Sequence, residues 1–302
     1  MVKKISVVEV GPRDGFQSVK CAMISTEKKI EIIEKLIAAG VKHIEYTSFV
    51  SPKAIPQLAD AAEVTEAIFA KHKDVDLFAL VPNLRGAQNA YELGLRRIAY
   101  VVSLSKTHNK ANINRTHEQS LEAYKEIREA YPDMDVIVDI ATAFGCPFEG
   151  KYRDVKSLIE FLRSYKELGM KVCTLCDTIG IADPKQVKTF IAAVKETYPD
   201  LELQVHIHDT RGLGVVNTLA AIEAGVTSIQ SALGGLGGCP FAPGASGNLS
   251  TEDMVWMLNE MGYDTGIEFA KILAVAKQQV QDIQGVYSGH HINITKETPC
   301  LK

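Results

Sequence analysis

The sequence predicts an α/β fold, a (β/α)8 TIM barrel with an additional C-terminal helical segment. Three observations point there. Short β-branched or aromatic runs alternate with helical stretches eight times, at 5–10, 43–49, 76–81, 98–105, 135–143, 171–177, 202–209 and 228–233. That repeat of strand then helix is the order that closes a parallel sheet on itself. Polar residues fit for chemistry sit at the C-terminal ends of these runs, where such a barrel assembles its active site. A doubly wound open sheet is the alternative, but the first run lacks the glycine-rich fingerprint expected after it.

The helical stretches have readable ends. Ser25 is a candidate N-cap for the first, with Ile30, Ile33 and Ile37 on one stripe and Gly40 suited to a left-handed terminus. Asp183-Pro184 is a cap followed by proline at the first helical position, opening 184–197. Helices are expected over 54–71, 84–93, 116–130, 153–168, 213–224 and 251–261, with Gly94, Gly169 and Gly225 closing three of them. Residues 1–264 suffice for the barrel. The remainder, 265–302, reads as one more helix, Ile267 to Ile283, and a polar tail that includes Cys300.

Composition excludes several classes. The 302 residues are 46% hydrophobic and 23% charged, with a formal charge of −4, so nothing supplies the broad basic face that nucleic acid or a membrane surface requires. No apolar run approaches the ~20 residues of a membrane span. The chain enters the apolar run Ile5 to Val10 with no signal-peptide architecture, which makes the cytoplasm the expected location. Six scattered cysteines form no disulfide framework. Cys173 and Cys176 lie on a predicted strand, where their side chains fall on opposite faces, so they read as core fillers and not as a redox pair.

The chemistry centres on His206-Ile207-His208-Asp209-Thr210, at the end of the seventh strand. Alternation puts both imidazoles on one face. Such a pair holds a divalent cation or is hydrogen-bonded in the core. After the first strand comes Gly11-Pro12-Arg13-Asp14-Gly15. It is either a turn with a surface ion pair or, at a barrel mouth, a hard oxygen ligand beside a guanidinium for a developing oxyanion. Glu45, inside the second strand, needs a partner if buried. It either orients Arg13 or faces a helix end or solvent. Strand six ends in Asp177-Thr178-Ile179-Gly180, again a carboxylate at the mouth. Strand eight leads into Gly234 through Asn248, with six glycines and a lone Cys239 at its centre. That loop reads as a mobile carrier for Cys239, a flexible phosphate cradle, or the surroundings of a buried thiol. The Asn248 amide oxygen is a candidate fourth ligand. Two nitrogens and two oxygens suit Mg²⁺ or Mn²⁺ better than a closed zinc site.

These residues resemble a known family. Gly11 through Gln17, Glu45 with Thr47 through Lys53, Asp177 through Gly180, His206-x-His208-Asp209-Thr210 and the loop at 234–253 are similar to the hydroxymethylglutaryl-CoA lyases of the DRE-TIM metallolyase superfamily. The most specific piece is Gly235 through Asn248 with Thr251-Glu252-Asp253. The resemblance implies a metal held by Asp14, His206, His208 and Asn248. It implies Arg13 as enolate stabiliser, Glu45 as its support and Cys239 as the loop acid. Gln17, Asp177 and Thr178 are expected to join Arg13 at an acyl-CoA substrate, with Asp14 or His206 as the base. Lys53, Lys106 and Lys110 are candidates for the CoA phosphates, and a homodimer is the implied assembly.

The expected reaction breaks the C2–C3 bond of hydroxymethylglutaryl-CoA to give acetyl-CoA and acetoacetate. Three departures bear on the substrate. Cys176 stands where the family usually has glycine, Ala141 where serine is common, and Ser103-Leu104-Ser105-Lys106 replaces a Ser-Ala-Ser-Glu stretch. Citramalyl-CoA or another 3-hydroxyacyl-CoA is therefore the nearest alternative substrate. A condensing synthase lacks support because its C-terminal regulatory region is absent. A carboxyltransferase subunit would carry a carbamylated lysine, and none is apparent. A catalytically idle scaffold is disfavoured by retention of every ligand and of Cys239.

Overall fold

The structure is a computed structural model that describes residues 3–238 and 247–295, so Cys239 and Cys300 lie outside it. Strands β1 (Ser6–Glu9), β2 (His43–Ser48), β3 (Asp76–Leu80), β4 (Arg97–Ser103) and β5 (Asp135–Ala141) follow one another round a ring. β6 (Gly145–Cys146) and β7 (Gly150–Lys151) form a small antiparallel hairpin outside it. β8 (Val172–Asp177), β9 (Glu202–Ile207) and β10 (Ser228–Ser231) complete the ring, and β10 pairs with β1 in parallel to close it. All eight expected barrel strands are present, each inside or within a residue of its predicted span.

The helices are α1 (Thr26–Ala38), α2 (Ala61–Ile68), α3 (Leu84–Glu92), α4 (Lys106–Ile113), α5 (His117–Ala130), α6 (Lys156–Glu167), α7 (Pro184–Thr197), α8 (Gly214–Glu223), α9 (Thr251–Glu260) and α10 (Phe269–Asp282). Ser25 caps α1 by accepting from Lys28 N, and Asp183 caps α7 by accepting from Gln186 N. The fully buried face of α1 is Lys29, Ile32, Ile33 and Leu36. Of the expected stripe, Ile30 and Ile37 are only flanking, half-buried residues.

Three local expectations change. The span 54–71 is a 3₁₀ turn at Pro56–Leu58 followed by the shorter α2, because Pro56 has no N–H to continue a helix begun before it. α6 starts at Lys156, three residues later than expected. α4 was not anticipated, since Lys106 to Ile113 shows no apolar stripe. It exists because Ser105 caps it, accepting from His108 N, and Asn114 ends it in the left-handed region at φ 53°.

Alternation along the strands divides the core in two. Leu203, Val205 and Ile207 of β9 join the large apolar layer between barrel and helices. The lower barrel interior is filled by Val8, Phe78, Ala99, Ile137 and Val172. Above that plug the interior turns polar, with Glu45, Asp139, Thr174, Gln204, His206 and Gln230 all buried.

The C-terminal segment packs α10 against α1 and α9 and then crosses the loop after β10. Gly237 N donates to Val286 O at 3.2 Å and Gly289 N to Gly234 O at 3.0 Å. Asp253 accepts from the backbone N–H groups of His290 and His291, at 2.7 and 3.0 Å, and so ties the segment down.

Candidate active site

The turn after β1 places the first residues. Val10 O accepts from the N–H groups of Arg13, Asp14 and Gly15, at 3.1, 2.7 and 3.4 Å, winding Gly11–Gly15 into a single wide π-helical turn. This turn aims Arg13 and Asp14 inward. Arg13 Nη2 donates to Glu45 Oε2 at 2.6 Å and Nη1 to Asp14 Oδ1 at 2.5 Å. Of the two readings of Glu45, the structure selects the partner of Arg13. Burial pushes the Glu45 carboxyl up, and the Arg13 guanidinium opposes it. Burial also works against the charge on Arg13, but Glu45 and Asp14 more than offset it and hold the guanidinium charged.

Asp14 meets the histidines at the same mouth. One candidate ligand atom from each of Asp14, His206 and His208 lies within 4.8 Å of the others. The two imidazoles face each other, Nε2 to Nε2, at 3.0 Å. Asn248 reaches the cluster by pairing its backbone with His208, and its Nδ2 donates to Asp14 Oδ2 at 2.8 Å. All four expected ligands thus share one rim. Although burial opposes it, the charges of Arg13, His206 and His208 hold the Asp14 carboxyl down to about 2. Burial, then the neighbouring His206, pushes His208 down to about 4. At neutral pH the pair is therefore an ionised carboxylate and an uncharged imidazole, the forms that ligate a cation.

The fit to a cation shows in what is left unsatisfied. Among the described residues Asn248 Oδ1 is buried with no hydrogen-bond partner, although its Nδ2 has two acceptors, Asp14 Oδ2 and Leu236 O. A buried amide oxygen without a donor, on a side chain already bonded to Asp14, is an atom free to join Asp14 and the two imidazoles in holding a cation. Hard oxygen plus nitrogen donors fit a divalent cation.

The loop after β10 is held closely around Asn248. A Cβ on Gly237 would sit 2.7 Å from Asn248 Nδ2, and one on Gly247 would sit 2.8 Å from Gly238 N. Only glycine allows this approach. Gly237 and Gly247 are therefore held close beside Asn248 and Gly238, and Cys239 lies outside the described residues.

The expected substrate residues divide. Gln17 Nε2 donates to Asp14 Oδ1 at 2.7 Å, so this amide steadies the Asp14 carboxylate. Both oxygens of Asp177 are spent on its own loop, accepting from Ile181 N at 2.9 Å and Ala182 N at 3.0 Å, which makes it a loop former at the mouth. Thr178 Oγ1 accepts from Thr142 N at 2.7 Å. Thr142, one residue past β5, holds φ 59°, a costly conformation for a β-branched residue. Cys176 faces Arg13, Asp14 and Asp139, Ala141 ends β5, and Lys106 opens α4 beside a cavity of about 630 Å³ lined also by His117, Glu149, Tyr152 and Phe161. Cys173, on the opposite face of β8, is buried in the outer core as a filler.

Sequence reasoning missed the residues behind the histidines. Gln230 Oε1 accepts from His206 Nδ1 at 2.9 Å, and Gln230 Nε2 donates to Thr174 Oγ1 at 3.2 Å. Asp139 stands beside Thr174 in the β5–β8 register and is 4% exposed. Burial pushes its carboxyl up, while Thr174, Arg13, His206 and Gln230 hold it back. The signal was present: Asp139 and Gln230 are polar residues inside strands, the same feature that singled out Glu45.

Comparison with known proteins agrees with this geometry. A family model described as HMGL-like matches residues 4–278. The chain belongs to the HMGL-like family. It is 41% identical over 277 residues to the Bacillus subtilis (strain 168) hydroxymethylglutaryl-CoA lyase YngG, covering 91% of this chain and 92% of that one. It is 40% identical over 273 residues to the Homo sapiens mitochondrial hydroxymethylglutaryl-CoA lyase, covering 90% and 83%. An HMG-CoA lyase from Acinetobacter baumannii, solved with coenzyme A and 3-methylmalate, superposes with a TM-score of 0.91 at 40% identity, covering 98% of this chain and 96% of that one. This HMGL-like protein is a carbon–carbon lyase. Among its described residues no helix is long and apolar enough to cross a membrane.

Proposed function

We propose that this protein cleaves 3-hydroxy-3-methylglutaryl-CoA to acetyl-CoA and acetoacetate, with Mg²⁺ or Mn²⁺ held by Asp14, His206, His208 and the Asn248 amide oxygen. The observation that carries the reading is the convergence of Asp14, His206 and His208 within 4.8 Å, beside the Arg13–Glu45 pair. When bound, the cation supplies Lewis acidity that eases loss of the substrate's hydroxyl proton. The remaining work falls to side chains. Asp14 or His206 accepts that proton. The C2–C3 bonding electrons then pass to C2 and the thioester oxygen, where the fixed Arg13 guanidinium stabilises the enolate. Glu45 holds Arg13 in place. Cys239 returns a proton to C2, a role suited to a thiol of pKa near ~8.5.

In the same reading residues 1–264 are the catalytic barrel and 265–302 its C-terminal segment, whose residues 286–291 brace the mouth. The protein acts in the cytoplasm as a homodimer, with Lys53, Lys106 and Lys110 the candidates for the CoA phosphates. Incubation with hydroxymethylglutaryl-CoA and either Mg²⁺ or Mn²⁺ should release acetoacetate. Absence of release with both ions overturns the assignment. Cys176, Ala141 and Lys106 favour one second reading, the same cleavage on another 3-hydroxyacyl-CoA such as citramalyl-CoA. A higher kcat/KM for that thioester in a substrate panel would select it.

A further inference from the structure

In the barrel strands, side chains short of full burial stand at the first residue of a strand, on the rim away from the mouth, with one exception. Ser6, His43, Asp76, Arg97, Asp135 and Glu202 each open a strand. Val101 lies in the middle of β4 and is only half-buried. Its direction follows from its neighbours. Tyr100 and Val102 enter the layer under the helices, whereas Val101 packs with Ala99 on the interior plug. With the plug beneath it, a side chain inside a closed ring is reached by solvent only from the mouth. The space over Val101 is therefore open, and wide enough for a water molecule, which is close to the size of a methyl group. Asp139, its register neighbour, is 4% exposed, so the valine and not the carboxyl fronts this opening. Val50, just past β2, is also half-buried against the plug. Leu80 and Ala141, facing inward at the ends of β3 and β5, keep 8% and 6% exposure. These four side chains, on or just past four successive strands, form an apolar arc beneath the mouth.

The ring order β1-β10-β9-β8-β5-β4-β3-β2 sets β4 four strands from β10 in either direction, so Val101 stands diametrically across from β10. β10 is flanked by β9, which carries His206, and by β1, which leads to Arg13 and Asp14. We propose that Val101 is a specificity-determining residue. Its apolar arc receives an alkyl group on the carbinol carbon of the substrate and so selects tertiary over secondary 3-hydroxyacyl-CoA thioesters. This selectivity presupposes the lyase function proposed for the mouth, in which the hydroxyl meets Asp14 or His206 and the thioester oxygen meets Arg13. Both of those contacts lie on the β9–β1 side. A tetrahedral carbinol carbon held there by two of its arms directs another across the ring. The carboxylate arm would lose its water against valine and leucine with no charge to pair it, whereas an alkyl group gains from the same burial.

The test compares three thioesters that differ only at the carbinol carbon. They are 3-hydroxyglutaryl-CoA, 3-hydroxy-3-methylglutaryl-CoA and 3-ethyl-3-hydroxyglutaryl-CoA, carrying hydrogen, methyl and ethyl. With the full chain and Mn²⁺, kcat/KM should be about tenfold or more higher for methyl than for hydrogen. Val101→Phe fills the opening and should bring the methyl-to-hydrogen ratio to one or below. Val101→Ala should raise the ethyl-to-methyl ratio by about tenfold. If Val101→Phe does not fold, the ratio in Val101→Ala decides alone. A second readout needs no turnover. Calorimetry on the Mn²⁺-loaded protein should show tighter binding of citramalate than of malate, which differ by the same methyl group, and Val101→Phe should lose that margin. Equal kcat/KM for hydrogen and methyl, or ratios that neither variant moves, overturns the proposal. Failure to cleave any of the three removes the lyase function instead. The citramalate-to-malate ratio then decides the role of the arc, and no margin there overturns it as well.

Discussion

The two faces of β9 serve different ends within six residues. Outward, Leu203, Val205 and Ile207 enter the apolar layer under the helices, where each is at least nine-tenths buried and needs no partner beyond contact. Inward, Gln204 and His206, with His208 just beyond the strand, enter a tier where polar atoms outnumber their partners. Among the described residues Gln204 Oε1, His208 Nδ1, Asp139 Oδ1, Glu45 Oε1 and Asn248 Oδ1 are all buried without a hydrogen bond. An apolar face closes on itself and returns stability. A half-satisfied polar face costs stability and is kept for what it binds. Substitutions on the two faces should therefore separate function from stability.

The largest effect is expected at the mouth. Arg13→Met should lower kcat by about a thousandfold, the scale of losing a fixed charge at an oxyanion, while Mn²⁺ still binds. It also leaves Glu45 buried without its cation, so thermal unfolding should come earlier. Adding Glu45→Gln should recover stability but not turnover, and turnover near wild type in either protein would remove Arg13 from the chemistry. His208→Ala comes next. Mn²⁺ affinity measured by calorimetry should drop by about a hundredfold or more, beyond the range seen for outer-shell partners, with little change in melting temperature. Unchanged affinity would break the ligand assignment.

One residue away, Ile207→Ala should behave in the opposite sense. Denaturant unfolding should show a loss of about 2–5 kcal/mol, with Mn²⁺ affinity retained. Loss of affinity without loss of stability would show that the two faces are not separable.

Glu9 sharpens the contrast, because it is a carboxyl on the outer face of β1. It accepts from Gly11 N and Leu233 N at 2.8 Å each and from Thr251 Oγ1 at 2.6 Å, joining β1 to the root of α9. Burial nevertheless pushes it from 4.5 up to about 7. The folded state then binds the proton more tightly than the unfolded state. Its contribution to stability is complete below pH 4.5 and is lost as pH rises through about 7. Melting temperature measured from pH 5 to pH 7.5 should fall on this account, and Glu9→Gln, which mimics the protonated form, should flatten that slope. A slope unchanged in the variant would assign the titration elsewhere.

Much of this molecule was legible from local pattern. Strand alternation is a two-residue rule, so His206 and His208 could be placed on one face, and Cys173 and Cys176 on opposite faces, before any contact was known. Ser25, Asp183, Gly40 and Gly169 mark helix ends through capping and backbone conformation, which are local effects. α4 was not legible, because its stability comes from Ser105 and the surrounding rim and not from an apolar stripe of its own. The π-helical turn at Gly11–Gly15 was read only as a tight turn, since its three bonds to one carbonyl depend on where β1 ends inside the ring.

By itself, then, the order of residues determined the barrel, the strand ends that bear chemistry and the resemblance that names the family. Tertiary structure decided which polar groups meet: Asn248 with Asp14 across 234 positions of chain, and His206 with Gln230 across 24. It decided too that Gln17 steadies Asp14 and that Asp177 is spent on its own loop. The reason is physical. Capping and alternation act over a few residues, whereas a buried hydrogen bond depends on which strands the closing ring sets side by side.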